Sequence, residues 1–322
     1  MKKQPSTKGT IQGSLFPPNQ VSKKQQPAMA ETDGTAAPKR KLQLCNGYLL
    51  EFDKLSRVLS AIRDQGKARR ISRDSIVEAT GLPDRHVESL VSMGSAMGLI
   101  APGVQLLTRV GALVATHDVF FERTGTLEWC HYRASGSFRN LVWFDVFNRI
   151  LPGEEPATQA VWIAWFRREL VGLYSERTLL KVVQEEVRFI VDAYQEKRFS
   201  TLGLFEKNAR ESLPLRRYLQ FEPLILCAML YEFAERHQGR IFELAELTRV
   251  PGSPAIAFGI DHMALRSLVE GLHNKGWLRY ETTHNLDQVR LRPGFDSVEF
   301  IRAFYEHREP AVQDVLQGAS DE

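Results

Sequence analysis

Lys67, Arg69, Arg70 and Arg73 place four positive charges within seven residues, and Asp74 is the first acid to follow them. Bases at this density suit phosphate, because each contact releases a counterion condensed on the nucleic acid. Further along, Arg85, His86 and Ser89 supply donors of the kind that read base edges. A third group, Arg279, Arg290 and Arg292, sits among alternating apolar residues. These are the candidate DNA contacts. No catalytic centre is written as clearly. His262, His273 and His284 recur every eleven residues, but eleven helical residues separate two side chains by about 16 Å, too far to share an ion held at about 2 Å. Glu185 and Glu186 are helix neighbours and diverge by about 100°. Neither a Walker loop, a GxGxxG, a nucleophile elbow nor a PD-(D/E)xK spacing occurs. Any active site must be assembled from distant segments, and its catalytic residues and metal ligands are not identified.

The elements that position the first two groups follow from periodicity. Leu50, Leu55, Val58, Leu59 and Ile62 fall on one helical face, which ends at Gln65-Gly66. Ser72 is placed to cap a second helix with Ile76, Val77 and Ala79 on its apolar face, and Gly81 to close it left-handed. Pro83 and Asp84 open a third helix. Its expected inner face is Val87, Leu90, Val91 and Met97, leaving Arg85, His86, Ser89 and Met93 outside. Leu99-Ile100, a Pro102-Gly103 turn and Gln105 to Thr108 then predict a short hairpin. Helix, helix, turn, helix, hairpin resembles a winged helix-turn-helix over 42–118, in which the second helix of the turn enters the major groove. In the alternative, these charges are a solvated face and the module pairs with protein.

Residues 119–220 read as an all-helical middle segment whose aromatics recur at helical spacing with few interleaved bases, which points to core rather than base stacking. Leu179, Val183, Val187, Ile190 and Tyr194 form its clearest amphipathic helix, capped by Ser175. Residues 221–310 repeat the organisation of the first segment. Ile241, Leu244 and Ala245 line one expected helical face, and Leu265, Leu268, Val269 and Leu272 another. Trp277–Glu281 and Gln288–Arg292 then flank a hairpin turn. We expect a second winged-helix-like module with Arg279, Arg290 and Arg292 on a basic wing, although Pro251, Gly252 and Pro254 do not suit a standard tight turn. The fold class expected is therefore mainly α: two winged-helix-like modules flanking an all-helical middle, with disordered tails at 1–41 and 311–322.

Composition sets the class. With 43% hydrophobic and 25% charged residues in 322, the chain reads as an ordinary soluble protein. Its longest uncharged apolar run, Leu224 to Leu230, is far short of the roughly 20 residues of a membrane span. Three scattered cysteines and a polar start without a secretory signal predict a reducing, cytoplasmic setting. The net charge of +3 is unevenly spread: residues 1–41 hold eight bases and two acids, a net of +6, and the rest of the chain carries −3. Nucleic acid must therefore meet local patches and a basic tail. Within that tail, Gln12, Leu15 and Phe16 form a Gln-x-x-Leu-Phe pattern that resembles the peptide with which bacterial replication and repair proteins dock on the sliding clamp. Leu15 and Phe16 would be its apolar anchors.

From about residue 45 to 310 the arrangement resembles a bacterial family of formerly unknown function associated with DNA phosphorothioation and phage defence, the SspB-like DNA-nicking subunits. The residues behind the resemblance are Ala79-Thr80-Gly81-Leu82 with Met97-Gly98-Leu99-Ile100, Leu107-Thr108-Arg109-Val110-Gly111, Ser175 to Leu180, and Leu247-Thr248-Arg249-Val250-Pro251-Gly252-Ser253-Pro254. The resemblance implies a DNA-binding subunit that introduces the nick allowing sulfur insertion. It would act with an ATPase, an ATP pyrophosphatase-like sulfur-transfer enzyme and a cysteine desulfurase, and would use Mg2+ or Mn2+ if it nicks. It supplies no short catalytic motif. The other reading is a non-enzymatic winged-helix transcription regulator or protein adaptor.

Overall fold

The apolar stripe Leu55, Val58, Leu59 and Ile62 is buried on one face of α1 (Phe52–Asp64), as its spacing predicts. The structure, a computed structural model, describes residues 40–66, 70–153, 156–206, 212–282 and 287–311. Gln12, Leu15, Phe16, Lys67, Arg69 and His284, and the expectation of disordered tails over 1–39 and 312–322, lie outside the described residues. Arg40 and Lys41, assigned to the tail by sequence, belong to the body. Lys41 forms a bridge to Asn140, its N–H donating to Arg139 O at 2.7 Å. The Arg40 guanidinium grips both oxygens of buried Asp145, at 3.0 and 2.9 Å.

Two short helices follow α1. In α2 (Arg73–Thr80) the Ser72 hydroxyl accepts from Ser75 N–H, and Gly81 closes the helix left-handed, both as expected. α3 (Asp84–Ala96) starts after Pro83. The expected hairpin is reduced to a single antiparallel bridge, Ile100 to Leu107, with Ala101 N–H donating to Leu106 O at 2.7 Å and Thr108 N–H to Leu99 O at 3.0 Å. Thr108 then caps α4 (Arg109–His117) by accepting from Gly111 N–H.

The middle is helical. α5 (Thr124–Gly136) is buried from Gly125 to Tyr132 and again from Ala134 to Gly136, which marks it as the central helix. Around it lie α6 (Leu141–Asp145) with a π-helical continuation over Val146–Ile150, and α7 (Gln159–Glu169). α8 (Glu176–Thr178) runs through a π-helical turn, Leu179–Val183, into α9 (Gln184–Gln195). Trp129, Tyr132, Trp143, Phe144, Phe147, Trp162 and Phe166 are buried. They are core, as their spacing indicates. A 3-10 turn at Arg198–Leu202 ends the segment.

In the last third, α10 (Pro223–His237) packs against α14 (Ser297–Glu306). Between them lie β1 (Ile241–Glu243), α11 (Leu244–Leu247), α12 (Pro254–Ala257), α13 (His262–Asn274), β2 (Leu278–Glu281) and β3 (Gln288–Leu291). The strands form an antiparallel sheet in the order β1-β3-β2, with Val289 opposite both Phe242 and Tyr280. One expectation fails here. Ile241 does not share a helical face with Leu244 and Ala245: it lies in a strand, exposed, while Phe242 is buried. The free edge of β3 offered this segment backbone partners, and pairing outweighed a weak three-residue helical signal. The described residues fall in one compact unit, and the buried core runs through all three segments. Among the described residues, no helix is long and apolar enough to cross a membrane.

Candidate nucleic-acid interface

The turn between α2 and α3 does not present its charges freely. Arg70 and Arg85 are exposed. Arg73 is answered across the turn, its Nε 2.6 Å from Asp84 Oδ1 and its Nη1 3.5 Å from Glu88 Oε2. It therefore staples α2 to α3. Asp74 and Glu78 are also on the surface, and Arg70 and Arg85 are the exposed cations of this turn with no ion-pair partner among the described residues.

His86 and Ser89 are corrections. Expected on the outer face of α3, they are only 6% and 2% exposed. The Ser89 hydroxyl donates to Cys45 O at 2.6 Å, and the His86 ring stacks on Tyr48 at 4.6 Å. Met93 is buried as well. The cause is the segment 41–50, which α3 carries on the face that periodicity assigns to solvent. That segment is held by Glu186 of α9, whose Oε1 accepts from Leu44 N–H and Cys45 N–H at 2.9 and 2.8 Å. Of Arg85, His86 and Ser89, only Arg85 is exposed on α3.

On the sheet, Arg279 stands directly opposite Arg290, and Ile241 flanks Arg290 on the other side. Like charges so placed repel. Glu281 relieves one of them, its Oε2 lying 2.9 Å from Arg290 Nε. Arg279 has no such partner among the described residues. Arg292 is exposed, and its backbone N–H donates to Tyr231 OH at 3.0 Å. The exposed positive charge at this sheet is therefore carried by Arg279 and Arg292, with Arg290 partly neutralised.

The remaining histidines have separate tasks. His262 Nε2 lies 3.2 Å from Asp287 Oδ2, whose carboxylate Arg266 also binds and holds below the usual range. His273 Nδ1 accepts from Tyr280 N–H at 3.1 Å. They do not meet, as helix geometry requires. His131, which the sequence does not single out, sits at the centre of the molecule. Its Nε2 must donate to Ala257 O at 2.9 Å, so its Nδ1 accepts from Tyr194 OH. Burial pushes its pKa down to about 3, so it is a neutral pin between helices. Glu128 is equally silent in the sequence; it is sealed between Tyr218 and the Glu222 N–H and pushed up to about 8 by burial. Nothing in a one-dimensional pattern marks such residues, since their surroundings come from distant segments.

These elements define a mainly helical fold with a three-stranded antiparallel sheet near its C-terminal end. No family model matches the sequence, and no curated protein matches it. Among solved structures the fold matches that of SspB. A crystal structure of SspB superposes with a TM-score of 0.65 at 17% identity, covering 82% of this chain and 88% of that one. A magnesium-bound crystal structure of SspB gives 0.63 at 15% identity, covering 79% and 86%. Among the described residues of this chain, no three His, Cys, Asp or Glu side chains come together where they could hold a metal ion.

The placement of the charges leads to a direct test. Changing Lys67, Arg69 and Arg70 to Gln is expected to weaken binding to any duplex and to lower the salt slope by up to about 0.9 for each phosphate no longer neutralised. Arg73 is left in place because it holds the turn. Arg85→Ala is expected to alter sequence preference, as a bidentate arginine contact discriminates by about 1–3 kcal/mol. Equal falls in affinity on all sequences would make Arg85 a phosphate contact only. Titrations at several salt concentrations read both effects.

Proposed function

We propose that the chain is a DNA-binding component of a bacterial DNA phosphorothioate modification and phage-defence system. The observation that carries this reading is the fold shared with SspB over about four-fifths of the chain. It is supported by the exposed cations Arg70, Arg85, Arg279 and Arg292 on two modules that we read as winged helices. The protein partners on this reading are an ATPase, a sulfur-transfer enzyme and a cysteine desulfurase, with the sliding clamp engaged through Gln12, Leu15 and Phe16.

The finer reading is that the chain also introduces the nick that precedes sulfur insertion. Supercoiled plasmid incubated with the protein and Mg2+ or Mn2+ tests both levels. Conversion to open circles, abolished by chelation, assigns the nicking step to this chain. Plasmid bound in a gel shift but left supercoiled keeps the DNA-binding role and moves the nick elsewhere. Absence of binding at about 50 mM salt, where phosphate contacts are strong, overturns the proposal in favour of an adaptor that contacts only protein.

A further inference from the structure

The turn joining α7 to α8 exposes what a folded chain normally covers. Val171 is 74% and Leu173 72% exposed, ahead of Met263 at 67% and Phe120 at 63%. They are held outward by a tight turn in which Leu173 N–H donates to Leu170 O at 3.1 Å. Gly172 takes φ +79° at the third position of that turn, where an L side chain would be strained. The two aliphatics are thus fixed in position. Around them the charge is positive: residues 167–181 hold four bases and two acids. Arg168 pairs with Glu169, whereas Arg167, Arg177 and Lys181 make no ion pair among the described residues. The π-helical turn Leu179–Val183 follows directly, an irregularity found often at functional sites.

We infer that this turn is a DNA wedge: Val171 and Leu173 enter the minor groove at a weakly stacked base step while Arg167, Arg177 and Lys181 take the flanking phosphates. The inference rests on the DNA-binding reading and adds to it a site outside the two basic modules. Aliphatic wedges between bases, flanked by cations, are a recurrent device of proteins that unstack or kink duplexes. A protein partner fits less well, because the anchors of protein interfaces are enriched in Trp, Tyr and Arg, and Leu and Val are under-represented. A membrane fits less well too, since two aliphatic side chains beside a small surplus of positive charge give weak and transient attachment.

The test uses the full-length protein and two duplexes of about 25 base pairs, long enough for one such site, one matched and one with a central mismatch next to 2-aminopurine. Wild-type protein is expected to bind the mismatched duplex about tenfold more tightly than the matched one and to brighten the 2-aminopurine as its neighbour unstacks. Val171→Ser with Leu173→Ser, both on the surface, is expected to abolish the brightening and the mismatch preference while leaving matched-duplex affinity within about twofold. Arg167→Gln, Arg177→Gln and Lys181→Gln together are expected to weaken both duplexes and reduce the salt slope. If the serine variant keeps the brightening and the preference, the wedge is overturned while DNA binding stands. If wild type binds neither duplex, the DNA-binding reading itself falls and the wedge with it. Weaker binding of the serine variant to anionic phosphatidylserine vesicles, with its DNA behaviour unchanged, would overturn the wedge and reassign the turn to a lipid surface.

Discussion

Gly111→Ala is expected to destabilise the protein by on the order of 4 kcal/mol or to prevent folding outright. A Cβ at this position would lie 1.8 Å from the Leu99 carbonyl oxygen and 2.7 Å from its carbon. Both are backbone atoms, so no rotamer change relieves the clash, and α4 as a whole must move away from the bridge between Ile100 and Leu107. That movement breaks the cap as well. Thr108 accepts from Gly111 N–H at 2.9 Å while its own hydroxyl donates to Gly98 O at 2.6 Å, so the helix start and the strand-like turn form one unit. Overpacking normally costs about 1–3 kcal/mol when side chains can yield; here they cannot. Gly271→Ala is the matched control. It lies on the exposed face of α13 with nothing within 4 Å of the added methyl, and it is expected to stabilise by about 0.5–1 kcal/mol through helix propensity. Urea denaturation of the two variants gives opposite signs on this account. A Gly111→Ala protein within about 1 kcal/mol of wild type, the range of an ordinary surface change, would mean that α4 does not approach Leu99 this closely.

The second large effect is a fall in stability toward alkaline pH. Burial pushes Glu128 up to about 8 and Glu186 up to about 7, against hydrogen bonds that partly favour their ionised forms: Tyr218 and the Glu222 N–H on Glu128, and the Cys45 and Leu44 N–H groups on Glu186. For an acid raised in this way the folded chain holds its proton more tightly than the unfolded chain does. The stability it contributes is complete below pH about 4.5 and is lost as pH rises through the folded value. His131 acts in the other direction. Held neutral with a pKa of about 3, it favours the folded state increasingly up to its ordinary value of about 6.5. Between pH ~4.5 and ~6.5 two glutamates lose stability for the one histidine that gains it, so stability is expected to peak near pH ~4.5 and to drop by several kcal/mol by pH ~8. Glu128→Gln with Glu186→Gln keeps one acceptor oxygen at each site and removes the titration, so its urea midpoint should stay level between pH ~6.5 and ~9. Glu186 has a further distinguishing feature: its Oε2 is buried without a hydrogen-bond partner. An amide there removes an unsatisfied charge, and the Glu186→Gln single variant is expected to equal or exceed wild type at pH ~8. Parallel curves for wild type and double variant would place the pH dependence elsewhere.

Local information in the sequence determined the helical architecture and several of its boundaries. Ser72, Ser175 and Gly81 cap helices at the positions their residue types predict, because capping depends on residues within three or four positions of each other. The stripe Leu179, Val183, Val187, Ile190 and Tyr194 is buried along its length, since amphipathic periodicity directly encodes which face meets the core. Tertiary structure decided what covered the remaining surfaces. His86 and Ser89 have the spacing of exposed residues on α3, yet segment 41–50 lies over them, fixed by a carboxylate more than 140 positions further along the chain. β1 exists because β3 has an edge to pair with, a fact absent from the sequence of Ile241–Glu243. Arg73 reads as a free cation in sequence, and folding brings Asp84 and Glu88 against it. The reason is common to all three: periodicity and caps are interactions within one element, whereas exposure, strand pairing and charge neutralisation depend on which distant segments meet, and that is settled only when the core closes.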